Sequence, residues 1–163
     1  PGILGGSNWS PISINSDLNL AFVSGIHAPI KYTLHEKNTE NGPMEYTSSE
    51  PTNDPQWGLL SGIDLSTGEI QWEYKTPQPL VGGTLSTKGG LVFLGEGNGN
   101  FNAIDASTGD LLWQTTVNAG VNAPPITYMI DDEQYIAVVA GGNKIMGFSQ
   151  GDYISVYKLP KAE

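Results

Sequence analysis

Residues 62–72 read GIDLSTGEIQW, and residues 103–113 read AIDASTGDLLW. Asp64 and Asp105, Thr67 and Thr108, Gly68 and Gly109, and Trp72 and Trp113 recur in register, 41 residues apart. A period near 40 residues demands a repeat architecture before any other fold is considered. The residues between the copies select which one. LVFLGEG (91–97) is a β-rich run, NFNAIDAS (100–107) alternates, LLWQTTV (111–117) is a third strand, and GGTLSTKGG (82–90) is a weaker one before them. Asn98-Gly99 and Ser107-Thr108-Gly109-Asp110 are hairpin turn signals. No segment carries a sustained helical period with caps. Four antiparallel strands per period of this length make a β-propeller blade, whereas leucine-rich and ankyrin repeats are shorter and helical. The high Gly and Pro content, 21 and 11 residues of 163, suits short strands joined by tight turns.

The expected fold is therefore all-β, a propeller segment of about two full four-stranded blades plus three strands of another. With strands lettered A to D outward from the axis, the first blade spans 1–76, with A at 9–15, B at 19–25, C at 58–65 and D at 69–75. An insertion at 26–57 separates its B and C strands. The second blade spans 82–117, and an incomplete third spans 123–159, with strands at 124–130, 134–140 and 152–158. In each repeat the Asp carboxylate can accept hydrogen bonds from turn N–H groups, and the Gly can take the positive φ the turn needs. Trp72 and Trp113, early on strand D, are expected to fill wedges between blades. Truncating Trp113 to Ala is then expected to cost about 3–5 kcal/mol. The repeated sentence is structural rather than catalytic.

Charge and cysteine content narrow the partners. Seven basic against 17 acidic residues, a net −10, oppose binding to nucleic-acid phosphates or an anionic membrane surface. The absence of cysteine removes disulfides and thiolate metal sites. No run approaches a membrane span and no signal peptide is recognisable. A start at Pro1 reads as a processed or excised piece.

With these residues in place, a resemblance emerges. The A-x-D-x-x-T-G-x-x-x-W sentence resembles the tryptophan-docking motif of PQQ-dependent quinoprotein dehydrogenases, a family of eight-bladed propellers. GGTLSTKGGLVFLGEGNGNFNAIDASTGDLLW (82–113) is similar to its penultimate-blade segment, and APPITYMIDDEQYIAVVAGG (123–142) to the segment after it. The tail AGGNKIMGFSQGDYISVYKLP (140–160) and the opening PGILGGSNWSPIS (1–13) resemble the glucose and quinate dehydrogenase branch. Gly62 departs from the Ala that opens the motif. The resemblance implies a C-terminal segment whose missing outer strand comes from the N-terminal part of the polypeptide. It also implies a periplasmic parent that oxidises an alcohol, sugar or polyol with PQQ and Ca²⁺ and passes electrons to a respiratory acceptor.

Strand direction gathers the D–A connections and B–C loops on one face, and in the resembled family that face holds the cofactor. The Asn of G-G-x-N-W hydrogen-bonds the quinone there, so Asn8 is the cofactor candidate; its bland alternative is a turn asparagine. Asn98 and Asn143 match substrate-facing positions that are Asp and His in glucose dehydrogenases, so sugar specificity does not carry over. Asn98-Gly99 is also an ordinary hairpin turn, the favoured reading of Asn98. Lys144 is either solvated or placed for an acidic substrate. His27 and His35 have no ligand spacing, Asp131-Asp132-Glu133 reads as a solvated turn, and no helix follows GEGNGN to make it a dinucleotide site. The catalytic Asp and the Ca²⁺ ligands are expected on earlier blades, so no catalytic or metal residue is assigned here. The alternative function is a non-catalytic propeller scaffold that binds protein partners on its edges, such as one for outer-membrane assembly. On either reading the open ends predict self-association or capture by the rest of the parent propeller. Ile12, Ile14, Leu20 and Phe22 are expected on one open face, and Tyr153, Ser155 and Tyr157 on an edge strand.

Overall fold

The computed structural model describes residues 2–159; Pro1 and Pro160, at the outer ends of the first and last motifs, lie outside the described residues. The strands in chain order are β1 (Ser13–Asn15), β2 (Leu20–His27), β3 (Ile30–Thr39), β4 (Gly42–Pro51), β5 (Trp57–Asp64), β6 (Ile70–Thr76) and β7 (Thr84–Ser86). Then follow β8 (Leu91–Gly95), β9 (Asn100–Asp105), β10 (Leu111–Thr116), β11 (Ile126–Ile130), β12 (Glu133–Ala140) and β13 (Tyr153–Lys158). There is no helix among the described residues. Two four-stranded antiparallel sheets form, ordered β1-β2-β5-β6 and β7-β8-β9-β10, followed by a three-stranded sheet β11-β12-β13.

The repeated sentence builds the same turn twice. Asp64 Oδ1 accepts the N–H groups of Ser66 and Thr67 at 2.8 and 2.9 Å, and Asp105 Oδ1 accepts those of Ser107 and Thr108 at 2.8 and 3.1 Å. Gly68 and Gly109 close the loops at φ of 74° and 81°, where a side chain would be strained. Both carboxyls are held below the usual range, Asp64 chiefly by the Thr67 amide and Asp105 chiefly by the Ser107 hydroxyl.

The sheets stack through two apolar cores. Leu20, Phe22 and Leu60 of the first, with Leu80 of the connection that follows it, meet Val92, Leu94, Ile104 and Ala106 of the second, with Trp72 and Tyr74 against them. Phe93, Phe101 and Ala103 meet Ile136, Val138 and Ala140 of the third, with Tyr157 against them. This corrects the expected open face. Ile12 and Ile14 are half exposed there, but Leu20 and Phe22 point the other way and are buried against the second sheet. Alternation along β2 forces this, because Leu20, Phe22 and Ile26 share one side of the strand.

Trp113 is also corrected. It is 41% exposed, edge-on to Tyr157 and Phe101, and does not fill a closed wedge. The innermost strands are shorter than expected, three residues each for β1 and β7. Pro11 has no N–H for a ladder, and its carbonyl is taken by the Thr84 N–H of the neighbouring sheet instead. The insertion is a separate ribbon: β3 and β4 pair from Ile30↔Pro51 to Thr39↔Gly42, joined by Glu40-Asn41.

Candidate functional site

The A–B and C–D turns gather at one end of the sheets. Asn19 Nδ2 donates to Ser66 Oγ, the Leu65 amide to Asn19 O, and the Ala106 amide to Gly90 O. At the other end the D–A connections interlock with the B–C loops. The Val121 amide donates to Glu96 O, the Gly120 amide to Ser149 O and the Gly142 amide to Gly120 O, all within 2.9 Å. Glycine permits this contact. A Cβ on Gly97 would lie 2.5 Å from the Phe148 ring, and one on Gly120 would lie 2.9 Å from Gly97 O. The result is a continuous floor of hydrogen-bonded backbone drawn from two sheets.

Asn8 and Trp9 lie on this loop face, at the segment that enters β1. The Ile26 amide donates to Gly6 O at 2.7 Å and ties that segment to the end of β2. Asn8 Nδ2 donates to Leu4 O at 3.2 Å, and Asn8 Oδ1 accepts the Trp9 amide at 2.9 Å. One amide hydrogen of Asn8 is left uncommitted. Trp9 is 90% exposed, a large flat ring lying open beside it.

Asn143 begins the B–C loop of the third sheet. Its Oδ1 accepts the amides of Ile145 and Met146 at 3.1 and 3.2 Å, leaving its Nδ2 open, and Phe148 anchors the loop from below. Asn98 is more heavily committed: its Nδ2 donates to Glu96 and its Oδ1 accepts the Asn100 amide. Lys144 is exposed. The Asn98 turn and the Asn143 loop meet across Gly120. Ile3 and Leu4 share a cavity with Ile145 and Met146, so the Asn8 segment and the Asn143 loop form one continuous wall.

The remaining candidates of the sequence find other places. His27 stacks on Trp57 at 3.5 Å between centroids, with the Lys75 ammonium 4.2 Å over the same indole. His35 stacks on Tyr46 and shares a hydrogen bond with Ser48 in the ribbon. Asp131 and Asp132 take positive φ in the β11–β12 turn, and Glu133 pairs with Lys158 at 2.9 Å.

Glu96 is the residue that sequence reasoning passed over. Its carboxylate is buried, accepting Asn98 Nδ2 on one oxygen and Asn102 Nδ2 on the other, while Asn102 Oδ1 accepts Gln114 Nε2 at 2.9 Å. Burial pushes its carboxyl above the usual range, against the pull of these amides. The Tyr74 phenol is also pushed up, by burial first and then by the charge of Glu96. The polar series Glu96, Asn98, Asn100, Asn102 within a glycine-rich turn was the available signal. Two buried polar atoms of the D–A connections, Gln78 Oε1 and Asn122 Nδ2, have no hydrogen-bond partner among the described residues.

Comparison with known proteins gives this face a context. Residues 38–136 match the family described as "PQQ: Glucose/ethanol/alcohol dehydrogenase, beta-propeller domain". The chain is 37% identical over 161 residues to the quinoprotein alcohol dehydrogenase PedE of Pseudomonas putida, an alignment covering 97% of this chain and 26% of that protein. It is 30% identical over 204 residues to quinoprotein glucose dehydrogenase A of Acinetobacter calcoaceticus, covering 98% of this chain and 26% of that one. Among solved structures, the quinohemoprotein alcohol dehydrogenase of Comamonas testosteroni superposes with a TM-score of 0.80 at 24% identity, over 99% of this chain and 28% of that one, a likeness of fold. The chain thus spans about a quarter of the length of the curated relatives it matches.

Proposed function

This chain belongs to the family of PQQ-dependent dehydrogenase β-propellers, and from that premise we propose that it forms the loop-face wall of an enzyme oxidising alcohols, sugars or polyols. The observation that carries the reading is the exposed Asn8-Trp9 pair on the face where D–A connections and B–C loops interlock. The donor set fits a polar planar quinone. Asn8 keeps a spare N–H for a quinone oxygen, and a donor held in place by Leu4 O and the Trp9 amide needs no reorganisation to act. Bound PQQ would take up the two electrons and two protons that the hydroxyl-bearing carbon and its hydroxyl give up on becoming a carbonyl. A respiratory acceptor in the periplasm would receive those electrons. Asn143 offers its open Nδ2 toward substrate, and Asn98 one remaining N–H beside it. Ca²⁺ would be held by hard oxygen ligands supplied outside residues 1–163. The single outer strand missing from β11-β12-β13 is supplied by another part of the propeller, along β13.

The test is reconstitution of the full-length apo-enzyme with PQQ and Ca²⁺, followed by dye-linked alcohol oxidation and by equilibrium PQQ binding. Asn8→Ala is expected to weaken PQQ binding or slow turnover by about 10- to 100-fold with the fold unchanged. Wild-type affinity together with wild-type turnover would remove Asn8 from the site.

A further inference from the structure

Glu96 follows β8 at the loop end of the wedge between the first and second sheets. Val92 and Leu94 share its side of the strand and pack with Leu60 and Leu80. Glu96 is only 1% exposed, and no cation meets it: the ion pairs among the described residues are Lys31–Glu50 and Lys158–Glu133. A carboxylate buried without a counter-ion is costly, and burial accordingly holds its carboxyl above the usual range. In place of a cation it has side-chain amides that aim their hydrogens at it. Gln114 Nε2 donates to Asn102 Oδ1 at 2.9 Å, Asn102 Nδ2 donates to Glu96 Oε1, and Asn98 Nδ2 donates to Glu96 Oε2 at 3.1 Å. The backbone pins the same residue, since the Gly99 and Val121 amides both donate to Glu96 O, at 3.1 and 2.9 Å. Asn98 is the member of this set on the loop face. Its Oδ1 accepts the Asn100 amide at 2.9 Å, so the side-chain amide is fixed at both ends and its second N–H is left on an exposed turn. The hairpin itself needs only that Oδ1 bond and the positive φ of Gly99, 95°. What the buried carboxylate adds is the orientation of the donor half of Asn98.

We propose that Glu96 is a positioning residue: its buried carboxylate clamps the Asn98 amide so that the free N–H meets an oxygen of the alcohol, and the clamp holds only while the carboxylate is ionised. This rests on the reading above that the loop face receives substrate. A carboxylate only accepts, whereas a carboxylic acid must place its O–H. A proton on Oε2 meets the Asn98 N–H and a proton on Oε1 meets the Asn102 N–H, donor against donor in either case. Turning the Asn98 amide over would set its Nδ2 against the Asn100 N–H instead. Protonation therefore frees Asn98 from the carboxyl. Tyr74 of β6 is the titratable side chain that faces Glu96 across the wedge, and its phenol is pushed above its usual value, so it stays neutral where carboxyls titrate. The connections 77–83 and 118–123 contain no titratable residue, β9 and β10 present Asn100, Asn102 and Gln114, and Lys144 of the adjoining loop is exposed. Substrate binding then strengthens as pH rises through the raised Glu96 value and weakens below it.

Steady-state oxidation of ethanol, glycerol and D-glucose by the full-length PQQ- and Ca²⁺-loaded enzyme, from about pH 4 to 8, tests this in wild type, Asn98→Ala, Glu96→Gln and the double variant. The expected result is an acid-side rise in KM of about five- to tenfold in wild type, with kcat changed less, that is missing in Asn98→Ala. Glu96→Gln sets an N–H against one of the asparagines and should lower kcat/KM by about five- to tenfold, but not in the Asn98→Ala background. An acid limb of equal size in wild type and Asn98→Ala, or a Glu96→Gln loss undiminished by Asn98→Ala, overturns the proposal. The first comparison decides even where a Glu96 variant fails to fold. Infrared difference spectra of the cofactor-free protein over the same pH range read the clamp without turnover. A titrating carboxyl band lost in Glu96→Gln, accompanied by an asparagine amide band lost in Asn98→Ala, is the expected pair. That pair with no oxidation of any of the three alcohols sinks the dehydrogenase reading and leaves the clamp. Oxidation without the asparagine band sinks the clamp alone, and the absence of both sinks both.

Discussion

Trp72 and Trp113 occupy the same position of the same eleven-residue sentence, yet only the first is docked. Trp72 crosses to the second sheet, donates from Nε1 to Ala106 O at 3.1 Å and lies on Gly109, where a Cβ would approach within 2.6 Å of the indole. Phe22 stacks on it at 5.7 Å. The Thr-Gly turn of the second sheet is thus the seat for the tryptophan of the first. Among the described residues Trp113 meets no Asp-x-Ser-Thr-Gly turn of the third sheet. It rests edge-on to Tyr157 at 5.3 Å and remains 41% exposed beside an apolar groove lined by Leu91, Val156 and Leu159. A docking motif is half of an interaction, and its energy belongs to the pair of sheets.

The sharpest way to break this comparison is to truncate both rings. Trp72→Ala should cost about 3–5 kcal/mol, because it empties a filled wedge and leaves the Ala106 carbonyl without its donor. Trp113→Ala should cost roughly 1–2 kcal/mol, because much of the ring is already in water. Chemical denaturation of the two variants measures both. Equal losses would mean that docking contributes nothing beyond the ring's own burial.

A smaller effect separates the residues opposite the two rings. Gly62 faces Trp72 across the β5–β6 pair, and a Cβ there would run into the indole. Ala103 faces Trp113 and tolerates its methyl in the second core. Gly62→Ala should therefore destabilise by about 1–3 kcal/mol through overpacking. Ala103→Gly should lose only about 1 kcal/mol, through backbone freedom and a missing methyl. A neutral or stabilising Gly62→Ala in the same denaturation experiment would show that the docked ring can shift.

The smallest expected difference lies in pH dependence, where the sheets share one signature and differ in another. Asp64 and Asp105 both have depressed carboxyl pKa values. Their stabilisation is present above the unfolded value, near pH 3.9, and is lost as pH falls through the folded one. Glu96, found only in the second sheet, has the opposite sign. Its folded form holds the proton more tightly than the unfolded chain. Its contribution is therefore best below about pH 4.3 and declines as pH rises through the raised folded value. Glu96→Gln should remove this decline, so that stability relative to wild type improves steadily with pH even if the mispaired amide lowers it overall. Denaturation midpoints across pH 4 to 8 that run parallel for the two proteins would show that Glu96 is ionised at no cost.

The sequence alone determined what local hydrogen bonding can specify. Asp64 and Asp105 bond N–H groups two and three residues ahead, and Gly68 and Gly109 sit where φ turns positive, so both hairpins were legible from one repeated sentence. The all-β class and the propeller architecture followed from that repeat and the strand signals between its copies. Asn8, Asn98 and Asn143 were legible as candidates only because their motifs resemble those of the quinoprotein dehydrogenases; strand direction added that all three lie at the same end of the sheets. The tertiary structure decided everything that depends on a neighbour remote in sequence. It seated Trp72 on residues more than 30 positions away and left Trp113 open. It turned Leu20 and Phe22 toward the second sheet rather than outward, drew the insertion out as a ribbon, and buried Glu96 among asparagines that the sequence showed only as a glycine-rich turn. It also brought Ile3 and Leu4 beside Ile145 and Met146, segments about 140 residues apart in the chain. Burial and the pKa values that follow from it are properties of what packs against a residue. No period or motif within one strand encodes which surface the next sheet will present.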